Sequence, residues 1–186
     1  MERKTIKTYN SLLQEQEFII DAYDDHIELQ RLLSDDVEVV SVPEEIEGLP
    51  VTVIGDACFA ARNSIKSISI PETVTRIGEQ AFALCNGIRE LILPDSITEI
   101  ERYAFRDCTG LRKIVLPANL KTLKSGVFAF CYLPDDVEII LNEGLETIEW
   151  GAFASGGLNH FFNIKLPKSV KEVAVGAFDP GVTIAT

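Results

Sequence analysis

The sequence predicts a solenoid of the α/β class, a stack of coils that each supply one short strand and one tight helical turn. Three observations predict it. Phe59, Phe82, Phe105 and Phe128 recur 23 residues apart, and Phe153 and Phe178 follow at intervals of 25. Two aliphatic columns keep step, Ile54, Ile77, Ile100, Leu123, Ile148 and Val173 five residues before each Phe, and Val51, Val74, Ile97, Leu120, Leu145 and Val170 three earlier. The alternation of apolar and other residues in Ile68–Ile70, Leu91–Leu93, Ile114–Leu116, Ile139–Leu141 and Ile164–Leu166 is that of a strand.

Each element has a local cause. Pro71, Pro94, Pro117 and Pro167 close four of the strands, with Asn142 in the remaining slot. Proline has no N–H to give a ladder and suits a strand end. A second short extended piece follows, as in Val74-Thr75-Arg76-Ile77. A small residue precedes most of the phenylalanines (Cys58, Ala81, Ala104, Val127, Ala152 and Ala177) and marks the turn. One coil cannot bury its own apolar side, but stacked coils turn the columns into a continuous core. Fully burying one such side chain contributes about 1.5–3 kcal/mol.

The same residues resemble a known family. Ile77-Gly78-x-x-Ala81-Phe82-x-x-Cys85-x-x-Ile88-x-x-Leu91-x-Leu93-Pro94 is similar to the BspA-type leucine-rich repeat, over about residues 36–184. Val42–Val51 resembles that family's longer entry repeat. The resemblance implies a leucine-rich-repeat solenoid, a right-handed curved superhelix with parallel strands on its concave face. It implies binding roles, often adhesion, no family-wide catalytic residues, and a bacterial or protozoan source. The pattern departs from the family in three ways. No secretion signal or wall anchor is visible. The coils after Phe128 and Phe153 carry two extra residues, at Tyr132–Asp136 and Gly156–Phe161. The asparagine slot of ordinary leucine-rich repeats holds Thr73, Ser96 or Asn119.

The expected organisation is an N-terminal cap and entry repeat over 1–53, repeats over 54–178, and a C-terminal cap strand over 179–186. Within the cap, residues 5–16 suggest a short helix from the spacing of Ile6, Tyr9, Leu12 and Leu13. Phe18–Tyr23, His26–Leu33 and Val37–Val42 read as strands broken by Asp24-Asp25 and Ser34-Asp35-Asp36, a cap hairpin feeding the first coil. At the other end Asp179-Pro180-Gly181 turns into Val182-Thr183-Ile184, a last strand expected to cover Phe178.

Composition limits the function classes. The net charge is −12, and residues 1–53 hold 13 acids against 4 bases. Such a chain repels phosphate backbones, so nucleic acid is not an expected partner. No run of about 18 apolar residues occurs, so no membrane insertion is expected. The N-terminus, polar through Asn10, lacks the apolar run of a signal peptide. A cytoplasmic location is expected, with secretion or the cell surface as the alternative. Cys85, Cys108 and Cys131 stand 23 apart, each three after a Phe. A ladder would spread them about 4.8 Å per step, unsuited to a tetrahedral metal site or to disulfides. They read as buried thiols, and four free thiols suit a reducing compartment. His26 and His160 lie in the cap and an inserted loop, with no nucleophile and acid beside them. Asp24-Asp25 and Asp135-Asp136 read as turn residues. Trp150, in a slot that holds Arg102 and Glu79 in earlier coils, either packs under a loop or anchors a partner. No catalytic residues, cofactor or metal are expected.

The outward strand positions supply the candidate site. Ile92, Val115 and Ile140 form an apolar column beside Glu90, Lys113 and Lys165, and Lys66, Arg89, Arg112, Val137 and Phe162 run along its edge. The partner-binding set is Arg89, Glu90, Ile92, Arg112, Lys113, Val115, Ile140, Phe162 and Lys165. An apolar strip rimmed by arginine suits a protein interface. β-branched residues also favour sheets for their own sake, which is the competing explanation. The expected function is a non-enzymatic protein-interaction module, a monomer by default, with a cell-surface adhesin or matrix binder as the alternative.

Overall fold

The computed structural model describes residues 1–156 and 161–185. It is a β-solenoid of about six turns. Three antiparallel or cap-forming strands come first: β1 (Glu2–Tyr9), β2 (Glu15–Ala22) and β3 (Ile27–Leu32). Then come β4 (Val39–Ser41), β5 (Glu45–Ile46) and β6 (Leu49–Ile54). From there each coil contributes two strands, one before the proline corner and one after it: β7 (Ser67–Ser69) and β8 (Arg76–Ile77), β9 (Glu90–Ile92) and β10 (Glu99–Ile100), β11 (Lys113–Val115) and β12 (Thr122–Leu123). β13 (Glu138–Ile140), β14 (Thr147–Ile148), β15 (Asn163–Lys165), β16 (Glu172–Val173) and β17 (Thr183–Ala185) continue the pattern.

The strands stack in two parallel columns. One column holds β4–β7, β9–β11–β13 and β15–β17; the other runs β6–β8–β10 and then β12–β14–β16. Register is in step with the repeat, Leu91 beside Ile114 beside Ile139. The inward side chains at these positions meet the phenylalanine stack. Rings of Phe59, Phe82, Phe105, Phe128, Phe153 and Phe178 lie 4.9–5.4 Å apart with interplanar angles of 5–14°. Phe18 of the cap closes the near end edge-on against Phe59 at 6.1 Å. Phe178 at the far end is partly buried, and Val182, just before β17, packs against the same core.

The α/β expectation is corrected here: among the described residues no helix forms, and the segments around the phenylalanines are turns. The backbone explains why. The residue two before each Phe has positive φ, from 52° at Ala57 to 78° at Gly176, and so does the residue two after it at Ala61, Leu84, Asp107 and Phe130. Left-handed residues four apart break any run of α-helical bonds. Amide donors instead alternate. Ala57, Phe59 and Ala61 donate to Glu79, Ala81 and Ala83 of the next coil at 2.7–2.9 Å. Cys58, Ala60 and Arg62 donate back three residues within their own coil at 3.1–3.3 Å. Each turn is therefore bonded to the next turn much as strands are.

The expected helix over 5–16 is also absent. β1 pairs along its full length with β2, Glu2 beside Ala22 through Tyr9 beside Glu15. The hairpin tip is built by Asn10, whose Oδ1 accepts from the Leu12 and Gln14 amides at 2.9 Å, with Leu13 in the left-handed region. Local Asx bonding outcompetes a helical turn there. β2 and β3 form the expected cap hairpin, and β3 then pairs parallel with β6. The Val37–Val42 run does not belong to the hairpin; its strand, β4, opens the other column beside β7.

The four cysteines are free and buried. Sγ of Cys85, Cys108 and Cys131 donates to the carbonyl of Phe59, Phe82 and Phe105, 3.0–3.1 Å away in the preceding coil. Burial pushes every thiol up from its ordinary value near 9, Cys85 and Cys131 to about 12. They are protonated spacers and poor nucleophiles.

Two stability predictions follow from the stack. Phe105→Ala removes a mid-stack ring and should lower unfolding free energy by roughly 3–5 kcal/mol in denaturant titration; a melt like the parent's would show that the column does not carry the fold. The thiols predict alkaline destabilisation. The unfolded thiol ionises near pH 9 while the folded one holds its proton to about 12. Its contribution is complete below pH 9 and declines above it, by about 1.4 kcal/mol per pH unit per thiol. Between pH 9 and 10.5 the Cys131→Ala protein should lose stability less steeply than wild type by that amount. Parallel curves would rule the effect out.

Candidate functional site

The inward alternation of the strands fixes what remains outside. Leu91, Ile114 and Ile164 are buried, so Ile92, Val115 and Lys165 must point to solvent. Val115 sits in register between Ile92 and Ile140, which makes one continuous apolar column. Ile92 is 59% exposed and Ile140 38%. Lys113 lies between Glu90 and Glu138 in the neighbouring column, and its ammonium reaches Glu138 at 2.9 Å. The hydrogen bond to Glu138 raises the Lys113 pKa above its ordinary value.

The two arginines differ. Arg89 is exposed and makes no side-chain hydrogen bond or ion pair among the described residues. Arg112 folds back, Nη1 donating to the carbonyls of Gly110 and Leu111 at 3.2 and 2.8 Å. Arg89 thus offers an open guanidinium, and Arg112 a guanidinium fixed against its own loop.

One candidate residue is misplaced. Phe162 is 2% exposed and packs on Phe153 at 6.3 Å, so it is core and not surface. Val137, at the same position one coil earlier, is buried too. The reason is the added length of these coils. In the shorter coils the buried anchor stands two residues before the strand (Ile65, Ile88, Leu111). In the longer coils it stands one residue before, and Val137 and Phe162 take that place. Of the partner-binding set, Glu90, Ile92, Lys113, Val115 and Ile140 share one face of the sheet, and Arg89 and Arg112 each stand just before a strand. Lys165 follows on the next strand, across a break in the ladder.

That break was not legible in the sequence. β13 and β15 belong to successive coils yet share no ladder bonds. A groove of about 420 Å³ opens there, between Ile140 and Leu141 on one lip and Lys165, Leu166, Pro167 and Lys168 on the other. A more polar depression of about 590 Å³ lies between the cap and the first coil, but its Arg62 is already held by Asp35 at 2.5 Å and by the Leu32 carbonyl.

The other singled-out residues have structural surroundings. His26 lies 2.7 Å from Asp25 and stacks on Tyr23 at 4.6 Å, a surface arrangement in the cap. His160 lies outside the described residues. Trp150 is 61% exposed, and its indole lies over Gly176 of the next coil, where a Cβ would come within 3.0 Å of Nε1. Among the described residues no three His, Cys, Asp or Glu side chains are placed to share a metal ion, and no helix is long and apolar enough to cross a membrane.

Comparison with solved structures finds the same architecture in bacterial repeat proteins. The Treponema pallidum leucine-rich repeat protein is 29% identical, with a TM-score of 0.63 over 86% of this chain and 63% of that one. A leucine-rich cell surface protein of Faecalibacterium prausnitzii is 22% identical, with a TM-score of 0.60 over 92% of this chain and 51% of that one. A leucine-rich repeat protein of Bacteroides ovatus, also 22% identical, gives 0.58 over 92% and 51%. The chain thus spans less than two thirds of the length of each. No curated protein matches it. The profile of the BspA type leucine-rich repeat region matches six copies across residues 52–183, so the phenylalanine stack, the strand columns and the proline corners are those of the BspA-type leucine-rich repeat family, to which this chain belongs.

Proposed function

We propose that the chain is a non-enzymatic protein-interaction module whose strand face, the concave side of a right-handed curved stack, receives the partner. The observation that carries this reading is the column of Ile92, Val115 and Ile140, held in water by the sheet register and flanked by the open guanidinium of Arg89. Burying such a column costs the free protein little backbone rearrangement, because the ladder already fixes the strands. Arginine and aliphatic residues together suit the anchor and rim of an interface.

Charge favours the same face. In the column of β7, β9, β11, β13, β15 and β17, the strands and the residue before each carry five bases and two acids, a net of +3 in a chain of −12. A partner with a neutral or acidic surface is drawn to that face and held off the acidic cap. The proposed site of action is the cytoplasm, where four protonated, free thiols are at home.

Arg89→Glu combined with Ile92→Asp changes two exposed side chains and no core contact. The variant should lose a partner that wild type captures from lysate, while its unfolding free energy shifts by no more than about 0.5 kcal/mol per surface substitution. Capture of the same partner by both proteins would exclude this face. Fractionation of native cells tests the compartment, and recovery on the outer surface would favour the adhesin reading over the cytoplasmic one.

A further inference from the structure

The groove between β13 and β15 combines three features; a missing ladder alone also occurs between β7 and β9. The first is the missing ladder. β9 is bonded to β11 and β11 to β13, but the backbone groups that β13 and β15 turn toward each other lack such bonds. The second is an aliphatic floor of Ile140, Leu141 and Leu166, with Ile140 38% exposed. The third is charge. With 29 acids against 17 bases, most cations of this chain have a carboxylate at hand. Seven of its nine lysines lie within 3.7 Å of one. Among the described residues the two without such a partner are Lys165 and Lys168, and both stand on the lip of this groove. Glu143, the one acid lining it, accepts from the Lys168 amide at 3.4 Å and leaves both ammonium groups open.

Two unpaired ammonium groups over an aliphatic floor match an anion that carries apolar neighbours. We propose that this groove binds an acidic, extended segment of a protein partner. Carboxylates meet Lys165 and Lys168, and apolar side chains cover Ile140 and Leu166. A nucleic acid fits less well. The lining has no aromatic side chain on which a base could stack, and the chain as a whole repels phosphate. The proposal rests on the reading of the strand face as a binding surface and adds the chemistry of what binds at its far end.

The test is fluorescence anisotropy with a labelled peptide of about ten residues that alternates glutamate and leucine, titrated with the full chain at low salt. Wild type should bind it, and binding should weaken as salt rises. Lys165→Glu with Lys168→Glu should weaken it roughly tenfold or more, since two exposed ion pairs become two repulsions. A lysine–leucine peptide of the same length should not bind. Arg89→Glu with Ile92→Asp should leave peptide binding within about twofold, which separates this groove from the strip beside it. Three outcomes would overturn the proposal: no binding by wild type, equal binding by the double lysine variant with its circular dichroism unchanged, or equal competition by a single-stranded oligonucleotide of matching charge. If the Arg89→Glu, Ile92→Asp variant still captures the partner while the lysine variant loses the peptide, the strip reading falls and the groove stands.

Discussion

Every coil of this protein depends on its neighbour to complete its hydrogen bonds. Within one turn, alternate amides find acceptors only in the next coil, and the thiols of Cys85, Cys108 and Cys131 reach back to carbonyls of the preceding one. A buried amide without a partner costs about as much as a lost hydrogen bond. The coils are therefore held at one spacing, near 5 Å, and that spacing is what places phenylalanine on phenylalanine at 4.9–5.4 Å. Packing and hydrogen bonding impose the same repeat, and neither is satisfied by a coil alone.

The same constraint explains the backbone strain the chain tolerates. Ala57, Gln80 and Tyr103 adopt left-handed conformations where later coils place Gly126, Gly151 and Gly176. A non-glycine residue there costs about 1–2 kcal/mol, and it persists because the inter-coil bonds on either side fix the turn. At Gly176 the glycine serves a second purpose, leaving room for the Trp150 indole. Ion pairs crossing from coil to coil add to the register, as where Lys124 meets Glu99 and Glu101 at 2.7 and 2.9 Å and Lys171 meets Glu146 at 2.6 Å. These lie at the surface, and each contributes under about 1 kcal/mol.

Ladders also break in the shorter coils, between β7 and β9 and between β10 and β12, but where the repeat lengthens a groove opens. Lengthening the coil moves the buried anchor by one position, which takes Val137 and Phe162 inside. In the second of the long coils the ladder between β13 and β15 is lost and a groove opens with two unpaired lysines. The acidic cap stands at the other end of the stack, in residues 1–53, so the positive strand face and the negative cap are separated along one axis. The regular coils keep the fold, and the irregular one carries the distinctive surface.

The amino-acid sequence by itself determined the coil length, the core columns, the proline corners, the buried thiols and the outward column of Ile92, Val115 and Ile140. Those features repeat, and a repeat places each residue by its neighbours one coil away. It did not determine what happens where the repeat is broken. The turns read as helical because small and aromatic residues leave i→i−3 turns and α-helix alike; only inter-coil bonding selects the left-handed positions at Ala57, Leu84 and Asp107. Residues 5–16 read as a helix because Ile6, Tyr9, Leu12 and Leu13 fit that period, yet pairing with β2 and the Asn10 turn decide for a strand. Phe162 and the groove beside Lys165 and Lys168 were settled by tertiary structure for one physical reason. An inserted residue changes which side chain reaches the core, and that depends on the path of the chain through space and not on the order of its letters.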